Sequence, residues 1–198
     1  MLAILNGLIN LLTGSGWTYP LLFGICLGDA VFPILPSETA AIVCGIQAAR
    51  GKLSLEWVLV LAALGAFAGD NTSYAGGRWL GRPVQQRLFS GETAQRRLDW
   101  AKRFLTERGS YVLIVARFIP GGRTATTFTA GLVKFSWHRR FAPYIALAAV
   151  LWAGYAVLLG YIGGRTFRNQ PIYAVVLAFG IAALITVGVE LLRRLRAS

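Results

Sequence analysis

Two apolar stretches of the chain are broken by proline, and each carries charge at its break. The first reads Phe32-Pro-Ile-Leu-Pro-Ser-Glu38-Thr39-Ala40 and is followed, 36 residues after Glu38, by Tyr74-Ala-Gly-Gly-Arg78. The second reads Phe118-Ile-Pro120-Gly-Gly-Arg123-Thr124-Ala125 and is followed, 38 residues after Arg123, by Tyr161-Ile-Gly-Gly-Arg165. Proline removes a helix hydrogen bond and restricts the residue before it, so neither stretch can be one straight helix. A helical hairpin that enters a membrane and turns back fits better, provided protein or water covers the backbone of the turn. A broken segment with a charge and then a spanning helix, repeated within one chain, is the layout of a secondary transporter.

Composition places the chain in a membrane. Apolar residues make up 56% of the 198 positions and charged residues 14%, with a mean hydropathy of +0.57. A soluble domain carries about a quarter charged residues. The net charge of +12, from 20 Lys and Arg against 8 Asp and Glu, lies in the polar segments between apolar runs. That distribution suits anionic lipid head groups and cytoplasmic retention rather than nucleic acid. Cys26 and Cys44 lie in apolar sequence and read as small core residues. The N-terminus has no basic region ahead of its apolar core, so no removable signal peptide is expected.

The pattern predicts an all-α polytopic membrane fold in a single membrane domain. It has two inverted repeats, each a re-entrant helical hairpin plus a transmembrane helix. The first repeat covers about residues 18–80, with a spanning helix over 53–77. An amphipathic linking helix follows over about 81–110, its apolar face made by Leu98, Ala101, Phe104 and Leu105. The second repeat covers about 111–166, with a span over 141–164, and a C-terminal transmembrane helix covers about 171–194. A short apolar helix over 2–12 is left unplaced. Basic residues in the linker, in His138-Arg139-Arg140 and at the C-terminus put those segments, the C-terminus included, on the cytoplasmic side. The two hairpins then enter the bilayer from opposite faces.

Arg117 and Arg123 flank Pro120-Gly121-Gly122. Burying an arginine at membrane depth costs about 2.5 kcal/mol or more on insertion scales, so such residues usually serve a site. Two guanidinium forks suit a phosphate, and Gly121 and Gly122 let backbone N–H groups approach it. Structural pairing with Glu38 or Asp70 is the alternative. Glu38 and Asp70, with Asp29, are the acidic counterparts, read as proton-coupling or charge-pairing groups, since an uncompensated carboxylate in low dielectric takes up a proton. The two Tyr-x-Gly-Gly-Arg sites read as packing elements that end spanning helices, with tyrosine at the interface. With one histidine, no metal-ligand cluster and no nucleophile elbow, neither an enzyme nor a metal or cofactor site is expected.

The chain resembles the DedA family, also called SNARE-associated or VTT-domain proteins, over about residues 20–165. The matching pieces are Phe32-Pro-x-x-Pro-Ser-Glu38, Gly69-Asp70-x-x-x-Tyr74-x-x-Gly77-Arg78-x-x-Gly81, and Arg117-Phe-x-Pro120-x-x-Arg123 with Ala130-Gly131 downstream. Lys134-Phe135 departs from the methionine that many relatives carry there. The resemblance implies opposed re-entrant hairpins and functional charges at Glu38, Asp70, Arg117 and Arg123. It implies lipid movement, in bacteria the return of undecaprenyl phosphate to the cytoplasmic face of the inner membrane for cell-envelope synthesis. The expectation is therefore a multi-pass transporter of a phosphate-headed lipid, driven by a proton or ion gradient. A proton-coupled antiporter, a small-anion carrier and a non-transporting scaffold are the alternatives. Membrane lipids are the expected partners, and monomer and homo-oligomer both stay open.

Overall fold

The computed structural model describes residues 16–30, 35–88, 103, 105, 111–117 and 122–166, with side chains from 80 to 88 excepted. The described residues form helices and turns only. Helix α1 is Thr18–Gly28, α2 is Ser37–Ala49, α3 is Leu55–Leu88, α4 is Tyr111–Ala116, α5 is Gly122–Leu132 and α6 is Ala142–Thr166, the last preceded by a π-helical turn at Trp137–Phe141. Both proline-containing stretches are interrupted, one between α1 and α2 and the other between α4 and α5. The 2–12 helix, Gly121, most of the linker and the 171–194 helix lie outside the described residues.

The chain divides into two compact units. The first comprises the described parts of Met1–Phe23, Pro36–Ala62 and Trp152–Ser198; the second comprises those of Gly24–Leu35 and Ala63–Leu151. Within the first, α2 packs on α6 through glycine. A Cβ on Gly45 would fall on the carbonyl oxygen of Val157, and a Cβ on Gly160 on that of Ile42. Only a bare backbone permits that approach. The α2 helix closes where Gly51 turns left-handed (φ 73°). The Gly51 N–H donates to Ala48 O and the Lys52 N–H to Gln47 O, both at 3.0 Å, capping carbonyls the helix leaves open.

The second unit repeats these devices between α3 and α5. A Cβ on Gly77 would fall on Phe128 O, and one on Gly131 on Tyr74 O. The α5 helix closes with the same bond pair, Lys134 N–H to Gly131 O at 3.0 Å and Phe135 N–H to Ala130 O at 2.9 Å. Its left-handed residue is Lys134 (φ 54°) rather than glycine. The core here groups Tyr74, Leu105, Leu113, Ala130, Phe135, Phe141 and Ile145. Leu105, expected on the apolar face of a surface helix, is therefore buried in protein.

The α3 helix buries a stripe at helical spacing, Val58, Ala62, Ala66, Gly69, Asp70, Ser73, Tyr74 and Gly77, while Trp57, Val60 and Leu64 are exposed. Small and polar residues thus face protein and large apolar ones face outward. Two expectations need correction. The helix does not end at Arg78 but runs on to Leu88, because charge marks the edge of an apolar run and not the end of a helix. Tyr74 is not an interfacial tyrosine: it is 4% exposed and its hydroxyl donates to Phe135 O at 2.6 Å.

Candidate functional site

Four of the charged residues singled out in the sequence meet within the second unit. Asp70 lies mid-helix in α3 with its side chain fully buried, and its two oxygens accept from different arginines. Arg117 Nη1 donates to Asp70 Oδ2 at 2.5 Å, and Arg123 Nε donates to Asp70 Oδ1 at 2.6 Å. Arg123 also reaches Asp29 Oδ2 through Nη1 at 3.0 Å and Ala66 O through Nη2 at 3.2 Å. Ala66 is one turn before Asp70, so the guanidinium of Arg123 lies along α3. Formal charges in the quartet balance, two against two.

Local packing explains how these distant residues come together. A Cβ on Gly69 would fall on Leu27 O, so glycine there lets the end of α1 lie against α3 and brings Asp29 beside Asp70. Thr124, next to Arg123 at the start of α5, donates to Ala30 O at 3.1 Å and ties α5 to the same end. One turn on, Thr127 donates to Ser73 Oγ at 3.0 Å and fixes α5 on α3. The first turn of α5 is therefore held immediately after Arg123.

Burial is graded across the quartet. Side-chain exposure is 2% for Arg117 and 0% for Asp70, but 11% for Arg123 and 18% for Asp29. Removing one member of a buried ion pair leaves an uncompensated charge, which is why the quartet holds as a unit. Carboxylate and phosphate both present oxygens in the plane a guanidinium fork matches.

Glu38 has a described contact of its own. It lies in the first turn of α2, in the first unit, is exposed, and its carboxylate accepts a hydrogen bond from the Tyr155 hydroxyl of α6. Asp70 and Asp29 are the carboxylates described on Arg117 and Arg123. Gly122 begins α5, half-buried. Sequence reasoning missed Tyr155, one tyrosine in an apolar helix, and the Ser73–Thr127 pair. A signal for the latter existed in the consecutive polar residues Asp70-Asn71-Thr72-Ser73 within an otherwise apolar run. No group of three or more His, Cys, Asp or Glu that could hold a metal occurs among the described residues.

Comparison with known proteins adds a third line of information. The family model of the VTT domain matches residues 35–162. Protein DedA of Escherichia coli K12 is 33% identical over 196 residues, covering 92% of this chain and 85% of that protein. An uncharacterized membrane protein of Synechocystis is 34% identical over 168 residues, covering 83% and 75% respectively. Inner membrane protein YqjA of Escherichia coli K12 is 26% identical over 186 residues, covering 87% and 84%. No solved structure matches the chain.

Proposed function

Because the chain belongs to the VTT-domain family of DedA-like membrane proteins, we propose that it is a multi-pass inner-membrane transporter that moves a phosphate-headed lipid, undecaprenyl phosphate in the reading the family resemblance favours. The observation that carries this reading is the pairing of Arg117 and Arg123 on one fully buried carboxylate, Asp70, beside the partly exposed Asp29. Two guanidiniums on a shared acid, next to a proline break, form a site whose occupant is exchangeable. A lipid phosphate would take over N–H groups that a carboxylate holds at rest. The displaced carboxylate would then take up a proton or a cation, which couples head-group movement to a gradient. The lipid tail stays in the bilayer throughout.

Two further features support the membrane architecture. Trp137–Thr166 is long and apolar enough to cross a bilayer, and its outer face carries Leu147, Val150, Leu151, Leu158 and Ile162 exposed. Backbone contact through glycine is the way helices pack where lipid supplies no hydrophobic drive between them. The parallel between α2 on α6 and α5 on α3, each in its own unit, supports an inverted repeat of hairpin plus spanning helix. Each pair includes a Tyr-x-Gly-Gly-Arg segment, and α2 and α5 close in the same way. Opposed hairpins would shorten the ~30 Å of hydrocarbon a head group must otherwise cross.

Translocation in reconstituted vesicles tests the proposal. Wild-type protein is expected to move a fluorescent phosphate-headed lipid between leaflets, and Arg123→Ala to abolish that movement while keeping its helical content. No lipid movement by wild type would leave a scaffold. Collapse of a pH gradient in the absence of any phosphate-headed lipid would identify a small-ion carrier.

A further inference from the structure

The turn joining α5 to α6 carries a feature that charge patterning alone does not explain. Lys134 is the one non-glycine residue with positive φ among the described residues, at 54°. The equivalent closure of α2 uses Gly51, which adopts that backbone without steric cost. A lysine stands where glycine would be less strained, and strain of this kind collects at functional positions.

The turn is also clamped from α3. The Tyr74 hydroxyl donates to Phe135 O at 2.6 Å, and the Trp137 indole Nε1 donates to Asn71 Oδ1 at 2.7 Å. Arg78 Nη1 donates to the Tyr74 hydroxyl at 3.4 Å, and the rings of Tyr74 and Phe141 lie 4.3 Å apart. Held in this way, the turn presents Lys134, His138, Arg139 and Arg140, all exposed, with Trp137 38% exposed among them. From α3, Arg78 is exposed at the same joint and Trp79 is 81% exposed. No acidic residue occurs in the sequence between Glu107 and Glu190. A merely solvated run of charge needs neither a left-handed lysine nor bonds from a second helix.

Position completes the argument. The turn stands at the N-terminal end of Trp137–Thr166, the described stretch both long and apolar enough to cross a bilayer, where the helix dipole adds positive potential. Tryptophan beside arginine at such a boundary suits the head-group layer. We propose that Lys134, His138, Arg139 and Arg140, with Trp137 and the Arg78-Trp79 end of α3, form a landing surface for anionic phospholipid head groups. The inference rests on the membrane-transport reading and deepens it. The clamp residues Asn71, Tyr74 and Arg78 lie one, four and eight residues after Asp70 on α3, so the landing surface begins beside the arginine quartet and extends about 12 Å along the helix from it.

Thermal unfolding of the purified full chain in uncharged detergent tests this without requiring transport. Titrated phosphatidylglycerol is expected to raise Tm saturably, and phosphatidylcholine to leave it unchanged. The response disappears near 1 M salt, where the screening length falls to about 3 Å. Each cation near a charged membrane surface is worth about fivefold in binding, so Arg139→Gln/Arg140→Gln weakens half-saturation by roughly 30-fold. Lys134→Gly, which keeps the backbone and removes the charge, weakens it about fivefold. Half-saturation unchanged in these variants, or an equal response to phosphatidylcholine, overturns the landing surface. Lipid response without translocation in vesicles sinks the transport reading alone, and translocation without the lipid response sinks the landing surface alone.

Discussion

Asp70 is the residue on which the site turns. Its two oxygens hold two guanidiniums, and its side chain is fully buried. Asp70→Asn keeps the shape but leaves two arginines facing a neutral amide in a poorly solvated place. That change is expected to destabilise the protein by about 3–5 kcal/mol, read as a large fall in Tm in detergent. Asp29→Asn removes a longer bond from an 18%-exposed carboxylate and should cost only about 1–2 kcal/mol. Equal losses for the two variants would contradict the graded burial of the quartet. All four charges were legible in the sequence, because charge in an apolar run demands a partner. The pairing of the arginines with Asp70 stood there as the alternative reading, but that of Arg123 with Asp29 did not, since it spans 94 residues and depends on the approach that Gly69 permits. Glu38 shows the reverse case: its motif stood out, but its contact is a tyrosine that no pattern marked.

At the level of helices, glycine sets which elements can touch. Gly131→Val and Gly160→Val would each drive a side chain into a neighbouring backbone, and each is expected to cost about 1–3 kcal/mol or more. Gly154→Ala is the control, since nothing lies within 4 Å of the added methyl. It should stabilise α6 by about 0.5–1 kcal/mol. A Tm series over these three variants checks both signs. Both proline breaks were readable in the sequence. The length of α3 was not. The charge at Arg78 looked like the end of a helix, yet the backbone continues through ten further residues to Leu88, since arginine, glutamine and leucine all favour helix.

For the whole molecule, length and topology can be compared with the bilayer. The 34 residues of α3 make about 51 Å of helix, against ~30 Å of hydrocarbon, so part of it extends beyond the apolar layer. In the proposed topology, Lys52 faces outward from the cell and Arg139 faces the cytoplasm. Membrane-impermeant maleimide should therefore label Lys52→Cys only from outside and Arg139→Cys only from inside, with buried Cys26 and Cys44 unreactive in both. Labelling of both positions from the same side would contradict the opposed hairpins. That topology is an expectation from hydropathy and basic residues, whereas the grouping of the described residues into two compact units depends on packing between distant segments. The most direct measurement is a cryo-electron microscopy structure of the protein saturated with a phosphate-headed lipid. Phosphate density within about 3 Å of the Arg123 guanidinium, with Asp29 or Asp70 withdrawn from it, is the predicted result. A lipid-saturated structure with both carboxylates still on their arginines and every head group elsewhere would contradict it.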